Sequence, residues 1–116
     1  MTAAQHSITI EQSATFTLDL VWEDSNGVPV NISGYTARMQ VRRTYVDNTP
    51  QLDFTTENGA IALGNALGTI SITGDAADTA AVTIKTGVYD LELVSPDGTV
   101  TRLIQGPATI SPEVTK

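Results

Sequence analysis

Gly87 to Gln105 reads GVYDLELVSPDGTVTRLIQ. In Ser95-Pro96-Asp97-Gly98, Pro96 presets the φ that a type I turn needs, and Gly98 supplies the positive φ of the residue that follows. A three-residue loop of this kind closes with a glycine bulge and sets the register of the strands on either side. Pairing Ser95 with Thr99 places Leu93 opposite Thr101, Leu91 opposite Leu103 and Tyr89 opposite Gln105. On the other face Glu92 meets Arg102, an opposite-charge cross-strand pair worth ~0.2–1 kcal/mol. Turn chemistry, apolar facing and charge facing agree on one β-hairpin.

Around this hairpin the chain has 116 residues, room for one domain with a real core and no second one. The expected arrangement is a single β-sandwich over 1–116, with extended terminal arms at about 1–6 and 107–116. A formal net charge of −7 with only 6 Lys and Arg argues against a nucleic-acid binder, because neutralising phosphates needs clustered cations. Cysteine is absent, so neither a disulfide framework nor a thiolate metal site can form. No apolar run approaches the roughly 20 residues of a membrane span, so no membrane partner is expected. MTAAQHSITI lacks the basic-then-apolar pattern of a signal peptide, which points to synthesis and assembly in the cytoplasm.

Most of the chain reads as short strands. His6 to Ile10 is the first and Ala14 to Trp22 the second, where Phe16, Leu18, Leu20 and Trp22 alternate with Thr15, Thr17, Asp19 and Val21. Asn26-Gly27 is a hairpin turn, and Val28-Pro29-Val30 a short return strand held to an edge by Pro29. Tyr35 to Arg43 puts Tyr35, Ala37, Met39 and Val41 on one face and Thr36, Arg38, Gln40 and Arg42 on the other. Gln51 to Thr55, Ile61 to Leu63 and Thr69 to Thr73 are further strands, with Leu52, Phe54, Ile70 and Ile72 inward. Between Asp75 and Ala81 the period changes to a single helical turn, with Asp75 as N-cap, bridging two sheets. About seven to nine short strands with turn signals between them define an all-β sandwich or barrel. A tyrosine opening a late strand, Tyr89, favours the antiparallel immunoglobulin-like sandwich.

Little in the sequence carries chemistry. His6 is the one histidine and has no second His or Cys with which to hold a metal. No serine sits in a Gly-x-Ser-x-Gly elbow. Glu23 to Gly27 is rich in oxygen but lacks the spaced ligands of a calcium loop, and Asp75 and Asp78 are explained by helix capping. No catalytic residue, cofactor site or metal site is expected. Arg38, Arg42 and Arg43 are half of the basic residues, packed into six positions. Arg is enriched at protein interfaces. The row Arg38, Gln40, Arg42 and Arg43 is therefore the candidate docking patch, against the plainer reading of a solvated face balanced by Asp90 and Glu92.

Two stretches, NISGYTARMQVRR (Asn31–Arg43) and GVYDLELVSPDGTVTRLIQGPATISPEVT (Gly87–Thr115), together with IEQSATFTLDLVWEDSNGVPV before them, carry a resemblance. The pattern is a strand, the turn carried by Gly27 and Pro29 to Gly34, an amphipathic strand, and a late hairpin marked by Gly87, Tyr89, Leu91 and Leu93. It resembles small structural proteins of tailed bacteriophages and is similar to the N-terminal domain of phage baseplate upper proteins. The resemblance implies an immunoglobulin-like sandwich that docks onto other virion proteins, in multiple copies within a symmetric assembly at the tail, baseplate, neck or capsid surface. The alternative expectation is a carbohydrate-binding or adhesive surface module, which exposed aromatic side chains on one sheet would favour.

Overall fold

The computed structural model describes residues 3–115; residues 1, 2 and 116 of the expected arms lie outside the described residues. Among the described residues nine strands form: β1 (Ala4–Gln5), β2 (Ile8–Glu11), β3 (Phe16–Val21), β4 (Thr36–Arg42), β5 (Leu52–Thr55), β6 (Ile61–Leu63), β7 (Thr69–Gly74), β8 (Thr86–Val94) and β9 (Val100–Ser111). A 3₁₀ turn at Asn65–Leu67 precedes β7, and one short helix, α1 (Ala76–Ala80), follows it. The large sheet runs β1-β9-β8-β4-β5, with β2 also alongside β9, and the small sheet runs β3-β7-β6. This is an immunoglobulin-like sandwich: the small sheet takes the B, E and D positions, and β5, β4, β8 and β9 take C′, C, F and G.

Alternation explains the core. Ala37, Met39 and Val41 of β4, Ile70 and Ile72 of β7, and Leu91 and Leu93 of β8 are buried between the sheets, with polar residues between them along each strand. Phe16 of the small sheet stacks on Phe54 of the large one at 5.9 Å between ring centres. Trp22 is half-buried and meets Tyr35 edge-on at 6.2 Å. α1 carries the chain from β7 to β8 and so from one sheet to the other. Its Asp75 occupies the N-cap position but makes no side-chain cap bond. The helix is fastened instead by buried Thr79, whose hydroxyl donates to the Ala14 carbonyl at 2.8 Å.

The hairpin at Ser95 forms as read. Ser95 and Thr99 are joined by a 2.9 Å backbone bond, the Gly98 amide donates to the Ser95 carbonyl, and Gly98 has φ +91°. Leu93 faces Thr101 and Glu92 faces Arg102. Beyond that point the structure departs from the expected register: a bulge between Leu91 and Glu92 sets Leu91 opposite Ile104 and Tyr89 opposite Gly106. The reason lies in the apolar phase of β9. Ile104, Ala108 and Ile110 are the buried residues of its second half. An unbroken ladder would have turned Gln105, Pro107 and Thr109 inward instead. Leu103 is the additional residue, half-buried against the core.

Residues 107–111 are accordingly no free arm. They pair with Thr86 to Val88 on one side and, in parallel, with Ile8 to Glu11 on the other. Ala4 and Gln5 likewise lie parallel to Ile104 and Gln105. Parallel pairing in matched phase brings Ile8 and Ile10 inward beside Ala108 and Ile110, which is the burial that holds the edge in place. The expected return strand at Val28 to Val30 is reduced to a single bridge, Glu23 to Pro29, since Pro29 has no amide to extend a ladder.

Tyr89 is not a corner tyrosine bonding a few residues upstream. Its hydroxyl donates to the His6 carbonyl at 2.5 Å, and burial pushes its pKa up to about 12, so it stays a donor. Gly106 faces it across the ladder, and a Cβ there would stand 2.4 Å from the same carbonyl. Tyr89, Gly106 and His6 thus clasp the N-terminal strands to β9.

At Gly98 a Cβ would meet nothing within 4 Å, so any cost of substitution is backbone strain alone. Gly98→Val is expected to lose on the order of 1–3 kcal/mol of stability, read as a lower melting temperature. Melting like the wild type would show that the positive φ is not required.

Candidate docking face

The outer face of the large sheet is largely polar, because β4 and β8 alternate inward apolar side chains with mostly polar outward ones; Val88 and Pro107, paired across β8 and β9, are apolar exceptions. Register partners place Asp53, Gln40, Asp90, Gln105 and Gln5 in one line across β5, β4, β8, β9 and β1. The adjacent line is Thr55, Arg38, Glu92 and Arg102. Arg38, Gln40 and Arg42, expected together, do share this face. Arg43 lies past the end of β4, exposed, and joins none of the face's bonds.

These side chains hold one another. Arg38 Nε donates to Glu92 at 2.8 Å. Arg102 lies between Asp90, at 3.4 Å, and Glu92, at 3.9 Å. The expected Glu92–Arg102 pair is therefore the weaker of Glu92's two contacts. Arg38 and Arg102 both stand opposite Glu92 in register, one on each side of it, and Arg102 also reaches Asp90 on the same face of β8. Arg42 donates to Gln40 Oε1 at 2.6 Å and to the Asp47 carbonyl at 2.5 Å, tying the β4–β5 loop to the sheet. Gln40 in turn donates to Asp53 at 3.3 Å. Three arginines face three carboxylates, so the patch is not bare positive charge. Exposed pairs contribute only ~0.2–1 kcal/mol each, and what they supply is fixed orientation.

An open depression of about 780 Å³ lies over this network, lined among others by Gln5, Gln40, Arg42, Tyr45, Asp90 and Gln105. Beside it the β4–β5 loop presents Tyr45 and Val46, which are 87% and 83% exposed. Burial, and then the like charge of Glu92, raise the pKa of Asp90 above its ordinary value; Arg102, Arg38 and Arg42 oppose the shift. The face offers amides, guanidinium groups, carboxylates and one projecting phenol beside the apolar Val88 and Pro107, suited to hydrogen bonding and stacking. Among the described residues no three His, Asp or Glu side chains are placed to hold a metal ion. Asp24, in the oxygen-rich turn, accepts from the amides of Asn26 and Val28, which engages its carboxylate within the loop.

Sequence reading missed Gln5, Gln105 and Tyr45 as members of this surface, while it does place Arg102 there, opposite Glu92. Arg102 and Gln105 differ in parity and share a face only because of the bulge. Gln5 arrives through a parallel pairing a hundred residues along the chain. Tyr45 sits in a polar loop with no periodicity to mark it.

No protein-family model and no curated protein sequence matches the chain. Among solved structures it is similar to the extracellular domain of the voltage-gated sodium channel beta4 subunit, at a TM-score of 0.50 and 10% identity. The match covers 98% of this chain and 97% of that one. The fold is immunoglobulin-like. That structure is described as a parallel homodimer that explains the subunit's role in cell–cell adhesion. At this identity the likeness speaks for the fold alone.

Since the folded pKa of Asp90 is raised, its ionisation costs stability that is present below the ordinary aspartate range and lost as pH rises through the folded value. Asp90→Asn is expected to melt higher than the wild type at neutral pH, with the gap closing once the pH falls below the ordinary aspartate range. Thermal melts across that range test it, and an Asn variant that melts lower at neutral pH would show that the Arg102 pair outweighs burial.

Proposed function

We propose that this domain is a non-enzymatic structural protein of a bacteriophage virion, present in many copies and docked to other virion proteins through the outer face of its large sheet. The observation that carries the docking reading is a largely polar face held in fixed geometry by its own ion pairs and hydrogen bonds, with Tyr45 and Val46 projecting beside it. Interfaces favour oriented Arg and exposed Tyr as anchors. Weak single contacts become strong when repeated around a symmetric ring or lattice. The virion setting comes from the resemblance of the Asn31–Arg43 and Gly87–Thr115 stretches to tailed-phage structural proteins. On this reading the chain is synthesised in the host cytoplasm and works in the particle, with no cofactor.

A second reading, an adhesive or carbohydrate-binding module, draws on one specific arrangement: Tyr45 at the side of a depression whose lining includes Gln5, Gln40 and Gln105. Amides beside an exposed ring suit sugar hydroxyls and a sugar's apolar face. Trp22 gives that reading no help, because it is half-buried against Tyr35.

The chain is expected to co-purify with intact phage particles in fixed stoichiometry, counted by quantitative mass spectrometry. Arg38→Glu with Arg42→Glu should leave the isolated domain folded and lower its occupancy on particles, for a loss of affinity of about tenfold or more. Finding the chain in infected-cell lysate but not in particles would overturn the virion reading. Normal incorporation of the double variant would clear the outer face.

A further inference from the structure

The small sheet has two outer strands, β3 and the three-residue β6. Among the described residues nothing pairs with the side of β3 that faces away from β7. The Trp22 amide donates to the Gly68 carbonyl at 2.9 Å, continuing the β3–β7 ladder. Hydrogen-bonded pairs alternate along antiparallel strands. Phe16, Leu18 and Leu20 therefore direct their backbone groups toward β7, and Thr17, Asp19 and Val21 direct theirs outward into solvent. The inward side chains report the same opening. Leu18, Leu20 and Trp22 face the core but are only half-buried. Next to them a cleft of about 380 Å³ separates β3 from the edge of the large sheet, lined by Ala4, Leu20, Val21, Trp22, Leu103 and Ile104. Exposed edges are normally blunted by proline, bulges or several charges. β3 has no proline, no bulge and one charge, Asp19.

Two partners could complete such an edge, and charge decides between them. The fullest antiparallel overlap of two β3 edges sets Thr17 opposite Val21 and Asp19 opposite Asp19. Like charges directly opposite one another are destabilising. Glu23 and Asp24 line the same cleft, and each copy carries a net charge of −7. A segment with a cation opposite Asp19 reverses that repulsion.

We propose that the outer edge of β3 is a strand-addition site for an extended segment of another protein, with apolar residues alternating on one face and a Lys or Arg opposite Asp19. Main-chain bonds to Thr17, Asp19 and Val21 supply affinity, and the cleft and Asp19 supply selectivity. The site is separate from the outer face of the large sheet, and the inference does not rest on the docking reading.

The test uses the intact chain, labelled for amide NMR, and the blocked peptide Val-Thr-Ile-Lys-Ile-Thr-Val. Its palindromic order presents the same side chains whichever way it runs. Amide shifts are expected from Thr17 to Trp22, with exchange at Thr17, Asp19 and Val21 fast in the free domain and slowed on binding. The peptide with Asp in place of Lys should bind about tenfold more weakly or worse. Asp19→Lys, an exposed substitution, should reverse the preference. The proposal is overturned by amides at Thr17, Asp19 and Val21 that are already protected without peptide, by shifts that fall elsewhere, by equal binding of the two peptides, or by no shift at millimolar peptide.

Discussion

The structure depends on one slipped residue. At the bulge between Leu91 and Glu92, β9 gains one residue on β8, and every side chain after Arg102 changes face. Because the side-chain period of a strand is two, nothing smaller could have turned Ile104, Ala108 and Ile110 into the core. The same slip places Gly106 opposite Tyr89, which leaves the hydroxyl free to reach the His6 carbonyl. It also puts Gln105 on the outer face alongside Arg102, although the two differ in parity. The second half of the β9 core, the N-terminal clasp and the make-up of the outer face all follow from this irregularity.

β9 is the strand that makes the domain one unit. It carries β8 on one side and both β1 and β2 on the other, so the N-terminal and C-terminal segments close the same edge of the large sheet. β1 and β2 cover the outer side of β9, whereas among the described residues the outer side of β3 in the small sheet has no partner. The two surfaces differ in kind. The outer face of the large sheet pairs its charges and is oriented by those pairs, which favours specificity over raw affinity. The β3 edge offers unpaired backbone and half-covered leucine and tryptophan, which favours a partner that brings its own strand.

What the sequence made legible was whatever is local. β4, β5, β6 and β7 lie where alternation puts them, and the Ser95–Gly98 turn is written in Pro96 and Gly98. What escaped was set by distant partners. Gly106-Pro107 looks like punctuation ending the hairpin, yet the strand runs through it, because pairing with Thr86 to Val88 and with Ile8 to Glu11 holds it from both sides. Val28 to Val30 looks like a strand and is a bridge, because Pro29 cannot extend it. Arg38, Gln40 and Arg42 could be placed on one face from β4 alone. That Arg38 takes Glu92, and that Gln5 and Gln105 complete the surface, required the sheet order. The function was not legible from any catalytic or ligand-binding pattern; a resemblance and a surface together support the proposed docking role.

The most direct test of that reading is side-chain footprinting of the assembled domain against the free one, with arginine- and tyrosine-modifying reagents read by mass spectrometry. Docking through the outer face of the large sheet predicts that Arg38, Arg42, Arg102 and Tyr45 become protected in the assembly. If all four remain as reactive in the particle as in the isolated domain, the outer face is not the surface through which this protein acts.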